Sequence, residues 1–128
     1  MIYVDTSVVL AELLSEDRSP PERVWEETVV ASRLLEYETW TRINARGLTT
    51  SHGERTRELL GRVAFLELVR PVLERALEPF PLPLRTLDAL HVASMHFLRS
   101  RGQDVQLASY DDRLTEVARA LNFQILPL

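Results

Sequence analysis

Short apolar runs of β type alternate with helix-period stretches along the whole chain. That alternation predicts an α/β fold with a mainly parallel sheet. Residues 2–4 form the first such run and end at Asp5-Thr6-Ser7, a good helix-capping triplet. Helical spacing follows through Val8, Val9, Leu10, Leu13 and Leu14. Residues 15–21 are polar and carry Pro20-Pro21, which predicts a loop leading into a short helix at 22–27. A second strand is expected at 28–31, a long helix at 32–46 stopped by Gly47, and another helix at 51–62. Residues 65–69 fit a third strand or an extension of the helix before them. Pro71 opens a short helix to residue 78, and the prolines at 79, 81 and 83 demand extended chain. A strongly apolar helix is expected at 86–100, a strand at 105–108, a helix at 112–121 and a last strand at 124–126.

With 128 residues, the chain fits one domain that buries roughly two-thirds of its unfolded surface. No internal repeat, linker or low-complexity stretch divides it. Cysteine is absent, so disulfides and thiolate metal sites are excluded. The start, Met1-Ile2-Tyr3-Val4-Asp5, lacks a basic segment and places an acid where a signal peptide would be apolar. No apolar run approaches the ~20 residues that cross a bilayer, so no membrane role and a cytoplasmic location are expected. The net charge of −4 argues mildly against nucleic-acid binding. That objection weakens if carboxylates hold divalent cations, which reverse the local field. Lysine is absent, which removes P-loop and Schiff-base chemistry.

Four acids stand where chemistry would need them. Asp5 ends the first strand, where open α/β sheets place ligands, although taken alone an N-cap for the next helix is the more ordinary reading. Glu38 is bracketed by Leu34, Leu35 and Ala45 on one side of its helix, so it is expected to face inward on the flank of the core. Glu36 then points away, toward Trp40 and Ile43. An inward carboxylate costs several kcal/mol unless it is paired or holds a metal, and its pairing candidate is Arg42, one turn on. Asp88 lies in the first turn of an apolar helix, where the dipole favours an acid. His91 and His96, five residues apart on that helix, do not share a face and read as packed or hydrogen-bonded. Asp111 and Asp112 follow the fourth strand, one as a cap and the other in the first turn of a helix. Strands one and four would be neighbours where chain order reverses, so Asp5 and Asp111 can converge there. Such a cluster suits a hard cation, Mg²⁺ or Mn²⁺, which activates a water and neutralises phosphoryl oxygens.

These residues resemble the PIN-domain ribonucleases, and among them the VapC-type toxins of toxin–antitoxin pairs. The resemblance rests on Ile2-Tyr3-Val4-Asp5-Thr6-Ser7, on Ser32-Arg33-Leu34-Leu35 running to Glu38 and Arg42, on Leu87-Asp88-Ala89-Leu90-His91-Val92-Ala93, and on Ser109-Tyr110-Asp111-Asp112-Arg113-Leu114. The ending Leu121-Asn122-Phe123, a strand and Pro127 is similar too, with Asn122 where the family usually has glycine. The resemblance implies a three-layer sandwich with a five-stranded parallel sheet in the order 3-2-1-4-5. It implies Mg²⁺- or Mn²⁺-dependent endonucleolytic cleavage of RNA, with Asp5, Glu38, Asp88 and Asp111 as catalytic metal ligands. Thr6 and Ser109 match supporting hydroxyls, and Asp112 occupies a place that is often not acidic. Arg42 and Arg113 are candidates for phosphate contacts. A homodimer and a cognate antitoxin are the partners implied.

The reading from another class is a PIN-like binding module whose acids are caps and ion pairs. A response-regulator receiver would need a lysine, and a haloacid-dehalogenase-type phosphatase would need an aspartate where Ser7 stands.

Overall fold

The computed structural model describes residues 1–14 and 18–128. Five strands form a wholly parallel sheet: β1 (Ile2–Val4), β2 (Val29–Ser32), β3 (Val63–Leu66), β4 (Gln106–Ala108) and β5 (Gln124–Ile125), in the order β3-β2-β1-β4-β5. The central strand β1 pairs with β2 through Ile2↔Val29 and with β4 through Ile2↔Gln106, Tyr3↔Leu107 and Val4↔Ala108. Side chains alternate across the sheet, as the two-residue period requires. Ile2, Val4, Val29 and Ala31 enter a core shared with helices α1 (Thr6–Leu14), α2 (Arg23–Glu26), α3 (Leu34–Ala45) and α4 (Thr49–Leu60). Tyr3, Val30 and Leu107 enter a second core, with α6 (Thr86–Ser100) and α7 (Asp112–Ala120). Helices therefore cover both faces, which explains why β1 is apolar at every position. A further helix, α5 (Arg70–Ala76), packs against α6.

Most expected elements form, with shifts that have local causes. Of the stretch expected as strand at residues 65–69, or as helix, only residues 65–66 are strand: they end β3, which begins at Val63. Register with β2 (Val29↔Val63 through Ser32↔Leu66) fixes its ends, and Gly61-Arg62 closes α4 before it. Helix α3 starts at Leu34 because Ser32 still belongs to β2, and the Leu34 amide donates to Ser32 Oγ. Gly47 ends that helix in a left-handed conformation, φ 67°, as its position predicts. Asn122 adopts φ 65°, the only positive φ at a non-glycine among the described residues. It thus makes the turn for which the resemblance expects glycine, and asparagine tolerates that region better than most residues. The loop expected at residues 15–21 lies partly outside the described residues. No helix among the described residues is long and apolar enough to cross a membrane.

The sheet reverses its order between β1 and β4. A crevice opens there beyond the carboxyl ends of the strands, as such sheets dictate.

Candidate active site

A groove of about 750 Å³ occupies that crevice, and Asp5, Glu38, Asp88 and Asp111 all line it, with Thr6, Arg42 and His91. The four acids come from four elements, so their convergence is a product of the topology. Asp5 directly follows β1, Glu38 lies in the second turn of α3, Asp88 in the first turn of α6, and Asp111 precedes α7.

Asp5 is buried, and its carboxylate is held by hydroxyls. Ser7 Oγ donates to one oxygen at 2.6 Å and Ser109 Oγ to the other at 2.7 Å. Each serine oxygen in turn accepts a backbone amide: Tyr110 N–H on Ser7, at 2.9 Å, and Asp111 N–H on Ser109, at 2.9 Å. Two relays thus tie the end of β1 to the loop that carries Asp111. No ion pair joins Asp5 to a basic side chain among the described residues. Burial raises its pKa, opposed by the two serine hydrogen bonds, by His91 and by the Val8 amide.

Glu38 is held from across the groove. His91 Nε2 lies 2.6 Å from Glu38 Oε1, and Thr6 Oγ1 donates to the same oxygen at 2.9 Å. His91 Nδ1 lies 2.7 Å from the Tyr3 hydroxyl, whose oxygen accepts the Ser32 amide at 3.1 Å. Burial holds the Tyr3 phenol well above its ordinary range, so the phenol keeps its proton. In the neutral imidazole that proton is donated to Nδ1, which places the ring proton on Nε2, aimed at Glu38. The chain Ser32–Tyr3–His91–Glu38 therefore sets the carboxylate's orientation from the interior of the sheet. No ion pair with Arg42 is present among the described residues, so Glu38 is not held in the way its own helix suggests. The core seam of α3 is Leu35, Thr39 and Ile43, while Ala45 is exposed. Glu38 accordingly sits at the edge of that seam rather than within it. Glu36 lies on the side of Trp40, as expected, where Arg33 holds it at 3.2 Å.

Asp88 is half-buried and accepts no hydrogen bond among the described residues. Its pKa is raised, by burial first and then by the charge of Asp111; His91 lowers it, Glu38 raises it and Arg85 lowers it. Asp111 does two things. Its carboxylate caps α7, accepting from the Arg113 and Leu114 amides at 3.0 and 3.2 Å, and it faces the groove. Asp111 thus caps a helix and lines the groove at once.

The supporting residues divide. Thr6 touches Glu38 and Ser109 touches Asp5. Asp112 is exposed in the first turn of α7 and does not line the groove. Arg42 lines it, whereas Arg113 reaches away to the Pro83 carbonyl at 3.2 Å. His91 and Ser7 are the contacts that the sequence alone did not assign. The signals for them were local: His91 is three residues after Asp88, on the same helix face, and Ser7 is two after Asp5.

The donors facing the groove are carboxylate oxygens, the set that hard divalent ions take. Among the described residues no three acidic or imidazole side chains close around a single point. An ion here would be held by few protein oxygens and completed by water and substrate, as Mg²⁺ sites commonly are. The electrostatics fit one. Asp5 is buried with only hydroxyl, amide and imidazole support, and Asp88 is pushed up by burial and then by its acidic neighbours, so a cation would relieve both.

Comparison with known proteins gives the lineage. The PIN domain family model matches residues 2–120. The chain belongs to the PIN-domain family, in its VapC-type branch. It is 32% identical to Ribonuclease VapC47 of Mycobacterium tuberculosis (strain CDC 1551 / Oshkosh), over 96% of this chain and 93% of that one. It is 30% identical to Ribonuclease VapC46 of M. tuberculosis (strain ATCC 25618 / H37Rv), over 98% and 95%. Among solved structures, M. tuberculosis VapC20, a Sarcin-Ricin loop cleaving toxin, shares the fold at a TM-score of 0.68 and 20% identity, covering 100% of both chains. A chain of a toxin–antitoxin complex from Klebsiella pneumoniae does so at 0.67 and 17%, over 100% of this chain and 98% of that one. A chain of VapBC2 from Rickettsia felis, bound to a promoter DNA fragment, does so at 0.71 and 13%, over 98% of each.

Proposed function

We propose that this PIN-domain protein is a divalent-metal-dependent endoribonuclease, the toxin of a toxin–antitoxin pair. One observation carries the reading: four carboxylates from four separate elements line a single groove at the point where the sheet reverses. The relatives named ribonucleases support RNA as the substrate, and the toxin–antitoxin complexes among the fold neighbours support an antitoxin partner.

Asp5, Glu38, Asp88 and Asp111 would hold Mg²⁺ or Mn²⁺. When bound, such an ion activates a water and neutralises phosphoryl oxygens for an in-line displacement. The residues of the chain do the positioning. The serine relays hold Asp5 with both oxygens directed, and His91 with Thr6 holds Glu38 by Oε1, leaving Oε2 without a donor among the described residues. Arg42 supplies a guanidinium beside the acids for a substrate phosphate. A homodimer is also proposed. Exposed Val69, Leu73, Leu77 and Leu82, around α5 and the proline run, support a protein–protein contact there.

The test incubates the protein with end-labelled RNA in Mg²⁺, Mn²⁺ or EDTA, beside Asp5→Asn. Cleavage that needs metal and disappears in the variant is expected. Absence of both cleavage and metal-induced stabilisation would indicate a binding module instead.

A further inference from the structure

Tyr37 is treated differently from every other aromatic side chain in the chain. Of the nine, Tyr3 and Trp25 are buried in the cores. Six others each carry a guanidinium over the ring, 3.9–5.4 Å from its centre: Arg57 on Trp40, Arg33 on Phe65, Arg75 on Phe80, Arg101 on Phe97, Arg18 on Tyr110 and Arg99 on Phe123. Tyr37 alone, among the described residues, has neither burial nor a covering cation. It is 64% exposed, and it lines the acidic groove beside Glu38.

Its place on α3 is specific. Leu34, Tyr37, Glu38, Thr41 and Arg42 all line the groove, at the spacing of one helix face. The face therefore presents, in succession, a bare aromatic ring, a carboxylate and a guanidinium. Arg42 makes no ion pair among the described residues. Acid, arginine and ring together match the three parts of a nucleotide chain: the reacting phosphate, a neighbouring phosphate and a base.

We infer that Tyr37 is a stacking platform for an unpaired nucleobase next to the cleaved phosphate, and so a positioning residue for the RNA strand in the groove. This rests on the ribonuclease reading given above. Every base offers a π-face, so stacking tolerates sequence, but in a duplex those faces are already stacked and the ring has nothing to receive. Tyr37 acts on binding and positioning of substrate; the reacting atoms belong to the acids.

The experiment measures fluorescence anisotropy of a short labelled single-stranded RNA, and of its duplex, with Ca²⁺ filling the acidic groove and again in EDTA. Wild type is set beside Tyr37→Ala, Tyr37→Leu, Tyr37→Phe and Tyr37→Trp, and cleavage kinetics are read in Mg²⁺ or Mn²⁺. Tyr37→Ala and Tyr37→Leu are expected to bind the single strand about ten-fold more weakly, with Tyr37→Phe and Tyr37→Trp near wild type. Duplex binding should not change, and the cleavage defect should fall on KM more than on kcat. Equal binding by Tyr37→Ala, or equal rescue by leucine, overturns the inference. So does a variant that changes only the oligomeric state, which would make Tyr37 a protein contact. Wild type that cleaves while Tyr37→Ala matches it defeats this inference alone. Wild type that binds without cleaving defeats the ribonuclease reading alone, and the comparison of variants still decides. Wild type that neither binds nor cleaves defeats both.

Discussion

His91 Nε2 stands 2.6 Å from Glu38 Oε1, so a side chain on α6 holds the groove-facing acid of α3, while Arg42 on the same helix does not. The same imidazole is fixed behind by the Tyr3 hydroxyl at 2.7 Å. Removing it therefore disturbs two groups at once. His91→Ala leaves the Tyr3 proton without its acceptor and Glu38 with Thr6 alone. The expected cost is about 1–3 kcal/mol of stability, with loss of most cleavage because the carboxylate is no longer oriented. Thermal unfolding and an RNA cleavage assay check both. Wild-type behaviour in both would remove His91 from the site's architecture.

Asp5→Asn separates charge from shape. The amide keeps the volume and can accept from one serine hydroxyl, so the fold is expected to persist. Removal of a buried charge offsets part of the lost hydrogen bond, and the melting temperature should move by only a few degrees, roughly 1 kcal/mol. Cleavage should fall to background. A well-folded variant with full activity would contradict the assignment of Asp5 as a metal ligand.

Ser109→Ala should be more harmful than an ordinary surface serine change. Ser109 Oγ donates to Asp5 and accepts the Asp111 amide, so one substitution leaves a buried carboxylate oxygen and a backbone N–H without that partner. About 1–2 kcal/mol of destabilisation and weaker metal binding are expected. Chemical denaturation with and without Mn²⁺ measures both, and no change in either would mean the relay is dispensable.

Metal and pH should act on the same carboxylates. Asp5 and Asp88 have pKa values raised above the ordinary aspartate value, chiefly by burial. The folded protein then binds protons more tightly than the unfolded chain. In the metal-free state their contribution to stability is full below the ordinary value and is lost as pH rises through the raised ones. Mg²⁺ or Mn²⁺ competes with those protons. It should therefore raise the melting temperature at neutral pH, rising with the logarithm of its concentration above the dissociation constant, and do little in mild acid. Differential scanning fluorimetry across pH, with EDTA and with each ion, tests this. A metal response that does not depend on pH would argue against binding through these groups.

Much of the architecture was legible because it depends on short-range pattern. The apolar runs around Ile2–Val4 and Gln106–Ala108 mark buried parallel strands, and acids just beyond them fall at the crevice by topology. Asp111 was readable as both a cap and a groove residue, and it is both. The partner of Glu38 was not readable. Within a helix, Arg42 is the near neighbour, but which group meets Glu38 depends on how α6 lies against the sheet. Nothing within a turn of Glu38 reports that angle. Ser109 entered as a supporting hydroxyl through the resemblance, but the Ser7 link to the Tyr110 amide was hidden, because only the β1–β4 pairing brings those two positions together. Edges of elements, such as the start of β3, follow interstrand register rather than local propensity.

The sheet's topology also sets an order of events during synthesis. Strand β1 is made first, yet one of its two neighbours, β4, arrives only with residues 106–108, and the serine that completes the support of Asp5 follows it. A nascent chain still short of Ser109 has Asp5, Glu38 and Asp88 in hand but neither the second half of the Asp5 cradle nor Asp111. On the ribonuclease reading, an enzyme built this way is inert while most of it is being translated. It becomes able to cut RNA only when β4 and the loop that carries Asp111 leave the ribosome, which is also when a partner would first have a finished groove to cover.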